Sequence, residues 1–93
     1  MNLIWKFGLE IQSYQEIMMP VGANILCVKN QNSKPCIWAI CDNQVLYEQR
    51  KFRIYGTGEQ FQDVCGDYIG TVQTNINHTE FVWHIFEVFV ETK

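Results

Sequence analysis

Arg50-Lys51-Phe52-Arg53-Ile54-Tyr55-Gly56-Thr57-Gly58 alternates cationic or polar with apolar side chains, then runs into two glycines around a threonine. Successive side chains of a β-strand point to opposite faces. Extended, this stretch turns Phe52 and Ile54 towards a core and sets Lys51, Arg53 and Tyr55 together on the other face, with Arg50 adding a charge at longer range. Gly56 and Gly58 allow positive φ, which turns backbone N–H groups outward. Cations and N–H donors in one place suit a phosphate or a carboxylate. Arg50, Lys51, Arg53, Tyr55, Gly56, Thr57 and Gly58 are therefore the candidate ligand-binding residues. A solvated strand face ending in an ordinary turn has the same pattern. No helical period follows the glycines, so the stretch is neither a P-loop nor a dinucleotide fingerprint.

The period of two continues on both sides. Upstream, Leu3, Trp5, Phe7, Leu9 and Ile11 share one face and Lys6, Gly8 and Glu10 the other, with Ile4 out of phase. Ser13 to Glu16 has a capping-box spacing, but Pro20 follows too soon for a helix, so a turn and a short strand over 15–19 are expected. Met19-Pro20-Val21-Gly22 fits a type I turn. Strands over 23–29 and 36–41 flank the polar loop 30–34, which places Cys27 roughly opposite Cys36. Cys36, Trp38 and Ile40 alternate with Ile37, Ala39 and Cys41; apolar residues on both faces mark a central or covered strand.

Downstream, Phe61, Val64 and Cys65 have the spacing of one helical turn within 59–67. A strand over 68–74 follows, with Gly70 as a bulge or a site of close approach. A turn over 74–79 leads to a closing strand over 80–90, apolar on both faces. The expected class is all-β: a compact antiparallel sandwich or open barrel of six to seven short strands with at most one short helical turn, forming a single domain over residues 1–93.

A net charge of −3 opposes duplex nucleic acid as the main partner, because phosphate neutralisation calls for a basic face. No apolar run approaches the length of a membrane-spanning helix, which takes about 20 residues. The start, Met1 to Lys6, lacks a basic region followed by a long apolar run, so no signal peptide and a cytosolic site are expected. Cys27, Cys36, Cys41 and Cys65 form no CxxC pair, which points to reduced thiols and no zinc.

His84 reads as a packed strand residue and His78 as an exposed turn residue. Cys65 and His84 meet only by accident of the fold, and Glu80, Glu87 and Glu91 read as edge or solvent charges. No catalytic residue, cofactor or metal is expected. Trp5 belongs to an inward face. Trp38 and Trp83 lie on strands apolar on both sides, so a homo-oligomer joined through 36–41 and 80–90 is expected.

Six pieces, in order, carry a resemblance: Ile4-Trp5-Lys6-Phe7; Met19-Pro20-Val21-Gly22-Ala23; Pro35-Cys36-Ile37-Trp38-Ala39; Phe52-Arg53-Ile54-Tyr55-Gly56-Thr57-Gly58; Tyr68-Ile69-Gly70-Thr71; and Trp83-His84-Ile85-Phe86-Glu87. On these the chain resembles a family of short, functionally uncharacterised phage and prophage proteins. The resemblance implies a viral origin and a cytoplasmic site of action in a bacterial host, and it carries no activity. Small phage β-proteins of this kind often counter host defence. The expected function is therefore non-catalytic binding and sequestration of a nucleotide-derived immune signal, a cyclic nucleotide or an ADP-ribose derivative. The alternative is a protein–protein interaction module, an inhibitor of a host protein or a virion accessory, using an exposed aromatic face.

Overall fold

Alternating side chains require two layers to cover the apolar faces, and the chain supplies both. A computed structural model describes residues 1–64 and 66–89. Seven strands form among them: β1 (Asn2–Gly8), β2 (Tyr14–Pro20), β3 (Asn24–Gln31), β4 (Lys34–Asp42), β5 (Tyr47–Gly56), β6 (Gly66–Ile76) and β7 (Thr79–Val88). They make a three-stranded sheet ordered β1-β4-β3 and a four-stranded sheet ordered β2-β5-β7-β6, with every pairing antiparallel. The class is all-β, and of the two expected architectures it is the sandwich that forms. No described residue is helical; 59–64 carry no helical turn, and Cys65 lies outside the described residues.

Both strands that are apolar on two faces are central. β4 runs between β1 and β3, and β7 between β5 and β6. The inward positions of β4, Ile37, Ala39 and Cys41, are fully buried against Phe52 and Ile54 of β5 and Ile85 of β7. Trp5 and Phe7 of β1 pack on this core as expected, while Ile4 points away. Burying a large apolar side chain such as Phe52 stabilises the fold by about 1.5–3 kcal/mol.

Turn chemistry sets the registers. Asn32 and Ser33 take φ of 54° and 61°, and Asn77 and His78 take 51° and 64°. Positive φ at both central residues is the two-residue hairpin turn whose twist matches the flanking strands. The first hairpin thus turns one residue later than expected. With an irregularity between Ile25 and Cys27, this pairs Cys27 with Trp38 and Lys29 with Cys36. Cys27, Cys36 and Cys41 are free thiols. The turn after β2 is also displaced by one residue: Ala23 donates its N–H to the Pro20 carbonyl at 3.0 Å, and Gly22 has φ of 78°.

Along one side the sheets are tied together. Asn30 Nδ2 donates to the Gln73 carbonyl at 2.7 Å and Ser33 Oγ to the Asn75 carbonyl at 3.2 Å. Gly70 sits at the β6 bulge and faces Val28; a Cβ there would lie 2.7 Å from Val28 Cγ1. Both roles expected of Gly70, bulge and close approach, are present.

Candidate functional site

β5 divides the candidate residues between its two faces. Lys51, Arg53 and Tyr55 lie together on the outer face of the four-stranded sheet, half-buried, while Phe52 and Ile54 are in the core. Arg50 has the parity of Phe52 and points inward. Its Nε and Nη2 donate to Glu87 Oε2 and Oε1, the latter at 2.9 Å, and its Nη1 donates to the Ala23 carbonyl at 2.8 Å. The bond to Glu87 raises the Arg50 pKa, working against desolvation. Arg50 is therefore an internal cation rather than a long-range surface charge. Glu87, 7% exposed, is its buried counter-ion and not a solvent carboxylate; Glu91 lies outside the described residues. Burying a charge is costly unless it is paired and hydrogen-bonded, and this pair meets both conditions.

The two outward cations lean on β2. The Arg53 guanidinium lies 4.9 Å from the Tyr14 ring centre, a cation–π distance. Tyr14 Oη donates to Glu16 Oε2 at 2.8 Å, which raises the Tyr14 pKa, and Glu16 is paired with Lys51 in the ladder.

On the other side of β5 the surface is aromatic. The Tyr55 ring is stacked on Phe61 at 4.0 Å and 14° between planes, and meets Phe86 edge-on at 5.9 Å. Tyr68 approaches Phe86 at 5.5 Å. These rings, with Gly56, Thr57, Gly58, Glu59 and His84, enclose a cleft of about 260 Å³. The ladder explains the convergence: Tyr55 pairs with His84, and His84 with Thr71.

A chain of polar groups lines the cleft floor. Thr57 Oγ1 and His84 Nε2 are 2.7 Å apart, His84 Nδ1 and Thr71 Oγ1 are 3.0 Å apart, and Thr71 Oγ1 meets the Tyr68 hydroxyl. His84 is thus more than a packing residue. Both ring nitrogens are engaged by hydroxyls, and the Nδ1 partner is a threonine rather than the carboxylate of a hydrolytic triad.

The glycine turn differs from its expected role. Glu59 donates its N–H to the Gly56 carbonyl at 3.0 Å, and Gly58 has φ of 88°. The Gly56 N–H is taken by Glu59 Oε1 at 2.9 Å, and the Thr57 N–H by the Val82 carbonyl at 3.2 Å. The turn contributes shape and the Thr57 hydroxyl, not two free N–H donors, because the chain's own carboxylate and strand β7 use them.

Sequence reasoning found Tyr55, Gly56, Thr57 and Gly58 of this cleft and missed Glu59, Phe61, Tyr68, His84 and Phe86, together with Thr71, which holds His84 and Tyr68. The missed strand residues come from β6 and β7, and their signal is the parity of His84 with Phe86. It became readable only with the register that sets β7 beside β5. Among the described residues, no group of three or more His, Cys, Asp or Glu is placed to hold a metal ion, and no helix is long and apolar enough to cross a membrane.

Three of the six pieces that carry the resemblance, Phe52–Gly58, Tyr68–Thr71 and Trp83–Glu87, lie on adjacent strands and meet at this cleft. The chain belongs to the DUF7352 family. The family, described as a domain of unknown function, matches residues 1–93. No curated protein and no solved structure matches the chain. This chain thus carries an aromatic cleft bounded by a cationic strip on the outer face of its four-stranded sheet.

Proposed function

We propose that this DUF7352 chain binds a small nucleotide-derived anion, a cyclic nucleotide or an ADP-ribose derivative, and sequesters it without chemical change. The observation that carries this reading is the juxtaposition on β5: Tyr55 opens into a cleft of aromatic rings, and Arg53 and Lys51 follow on the same face. Rings stack on bases, and cations take phosphates. Because Glu59 occupies the Gly56 N–H, the phosphate end belongs at Arg53 and Lys51 and the base end at the aromatic rings. Gly56 and Thr57 N–H groups are both engaged, which leaves the Thr57–His84 contact without the paired donors that acyl transfer uses. In this reading the protein is a phage-encoded counter-defence factor acting in the bacterial cytoplasm.

Mass spectrometry of the denatured, freshly purified protein tests it. A co-purified nucleotide is the expected result. Absence of one, together with no heat of binding for a panel of cyclic nucleotides and ADP-ribose, refutes the reading. Arg53→Ala is expected to weaken binding about tenfold to a hundredfold, since a hydrogen bond to a charged group is worth about 1.5–3 kcal/mol.

A second reading, interaction with a protein, is favoured by the outer face of the three-stranded sheet. Ile4 is 58% exposed there and pairs with Ile40 of β4, whose neighbour Trp38 shares that face. The simplest cover for this strip is a second copy of the chain, so self-association accompanies ligand binding in our proposal.

A further inference from the structure

We infer that Phe61 is an internal stand-in for the ligand's ring, seated on Tyr55 in the free protein and displaced when ligand enters; this rests on the binding reading above. Phe61 makes a near-parallel stack with Tyr55, the contact a planar base would make, although its side chain is 51% exposed. The core does not hold it there. Its segment is fastened at the Gly56–Glu59 turn, where Glu59 bonds to Gly56 through both its N–H and its carboxylate. Beyond that turn, Gln60 to Val64 make no hydrogen bond among the described residues. Gly58, with φ of 88°, stands at the base of the segment, a conformation that glycine adopts without steric cost.

Size points the same way. The cleft of about 260 Å³ with Phe61 in place is smaller than the roughly 300–1,000 Å³ typical of small-molecule sites. Moving the Phe61 ring away lengthens the cleft and frees the face of Tyr55. The remaining walls come from β5, β6 and β7 and stay fixed: Phe86 and Tyr68 by the ladder, and His84 by Thr57 and Thr71. Closure by Phe61 and binding of a base therefore compete for one surface. Apparent affinity falls by the fraction of molecules that are closed. An aromatic pair of ordinary strength sets that penalty at roughly two- to tenfold.

The test uses AMP and ADP-ribose as probes, with wild type, Phe61→Ala and Phe61→Trp compared by calorimetry and NMR. Phe61→Ala is expected to bind about two- to tenfold tighter and Phe61→Trp more weakly, with Phe61→Ala melting slightly lower because the free protein loses the stack on Tyr55. In wild type, the ring-current shift of Phe61 is expected to vanish as ligand saturates. Weaker binding by Phe61→Ala, or a Phe61 shift that persists in the complex, overturns the inference and makes Phe61 a fixed wall. If neither probe binds any variant, the nucleotide reading fails instead. The gate is then judged on the free protein: microsecond-to-millisecond exchange at Phe61 and Tyr55 by relaxation dispersion supports it, and its absence overturns it.

Discussion

At Arg50 a cation sits where the strand period demands an apolar residue, and Glu87 opposite Phe52 supplies its partner. Removing one member leaves the other buried and unpaired, so Arg50→Met or Glu87→Leu alone is expected to cost about 3–5 kcal/mol, while the double substitution costs much less than the sum. Urea unfolding of the four proteins checks this. The period was legible in the sequence and its phase was set by Phe52 and Ile54, yet charge alone made Arg50 look external. The compensating acid is 37 residues away, which no local pattern reveals. Gly70 was legible because glycine inside a strand needs a reason, and Val28 is that reason. Gly70→Ala is expected to destabilise by about 1–3 kcal/mol, with partial rescue by Val28→Ala. Cys41 gives a pH dependence. Burial raises its thiol pKa from the ordinary thiol value, against the nearby Arg50 cation. Above the ordinary value the unfolded chain has lost a proton that the native chain still holds, so stability falls as pH rises through the alkaline range. Cys41→Ala is expected to flatten that slope in pH-dependent unfolding.

At the scale of elements, strand existence was legible and strand ends were not. β4 was marked as central or covered by its two apolar faces and is central; β7 has the same pattern and is central too, although its two faces were read as an oligomer contact. The apolar spacing of Phe61 and Val64 suggested a helical turn. Phe61 instead answers to a ring on β5, a contact between elements that periodicity does not encode. The same limit hid the cleft: one strand carried Tyr55, and the register of two others added His84, Thr71 and Tyr68. The first hairpin turn was misplaced by a residue because Ser33 at its centre is a poor advertisement for positive φ, and for the same reason nothing within 74–79 singled out Asn77 and His78 as the turn's centre. That mismatch yields a prediction. His78 is exposed with φ of 64°, a region that costs a non-glycine residue about 1–2 kcal/mol. His78→Gly creates the Asn-Gly pair that this turn prefers and is expected to stabilise by roughly 1 kcal/mol. Thermal unfolding checks it, and an unchanged or lower melting temperature would show that the β6–β7 hairpin does not depend on its turn.

For the whole molecule, the two sheets use their outer faces differently. The four-stranded sheet carries the aromatic cleft and the cations; the three-stranded sheet shows an apolar strip of Ile4, Ile40 and Trp38 with no third layer over it among the described residues. Self-association through that strip fits a two-fold arrangement in which β4 lies near the axis and the clefts face outward, free to bind ligand. The choice of residue decides whether the test is clean. Trp83 donates its indole N–H to Thr74 Oγ1 at 2.9 Å and stacks on Phe81 at 5.7 Å, so Trp83→Asp damages the subunit itself. Trp38 alternates with the fully buried Ile37 and Ala39 and points to the opposite side. Trp38→Asp is therefore expected to give a folded monomer that still binds nucleotide, where wild type scatters light as a dimer at tens of micromolar. A wild type that stays monomeric at that concentration refutes self-association. A Trp38→Asp dimer moves the interface off this sheet, and a variant that dissociates and also loses ligand ties the cleft to the assembly.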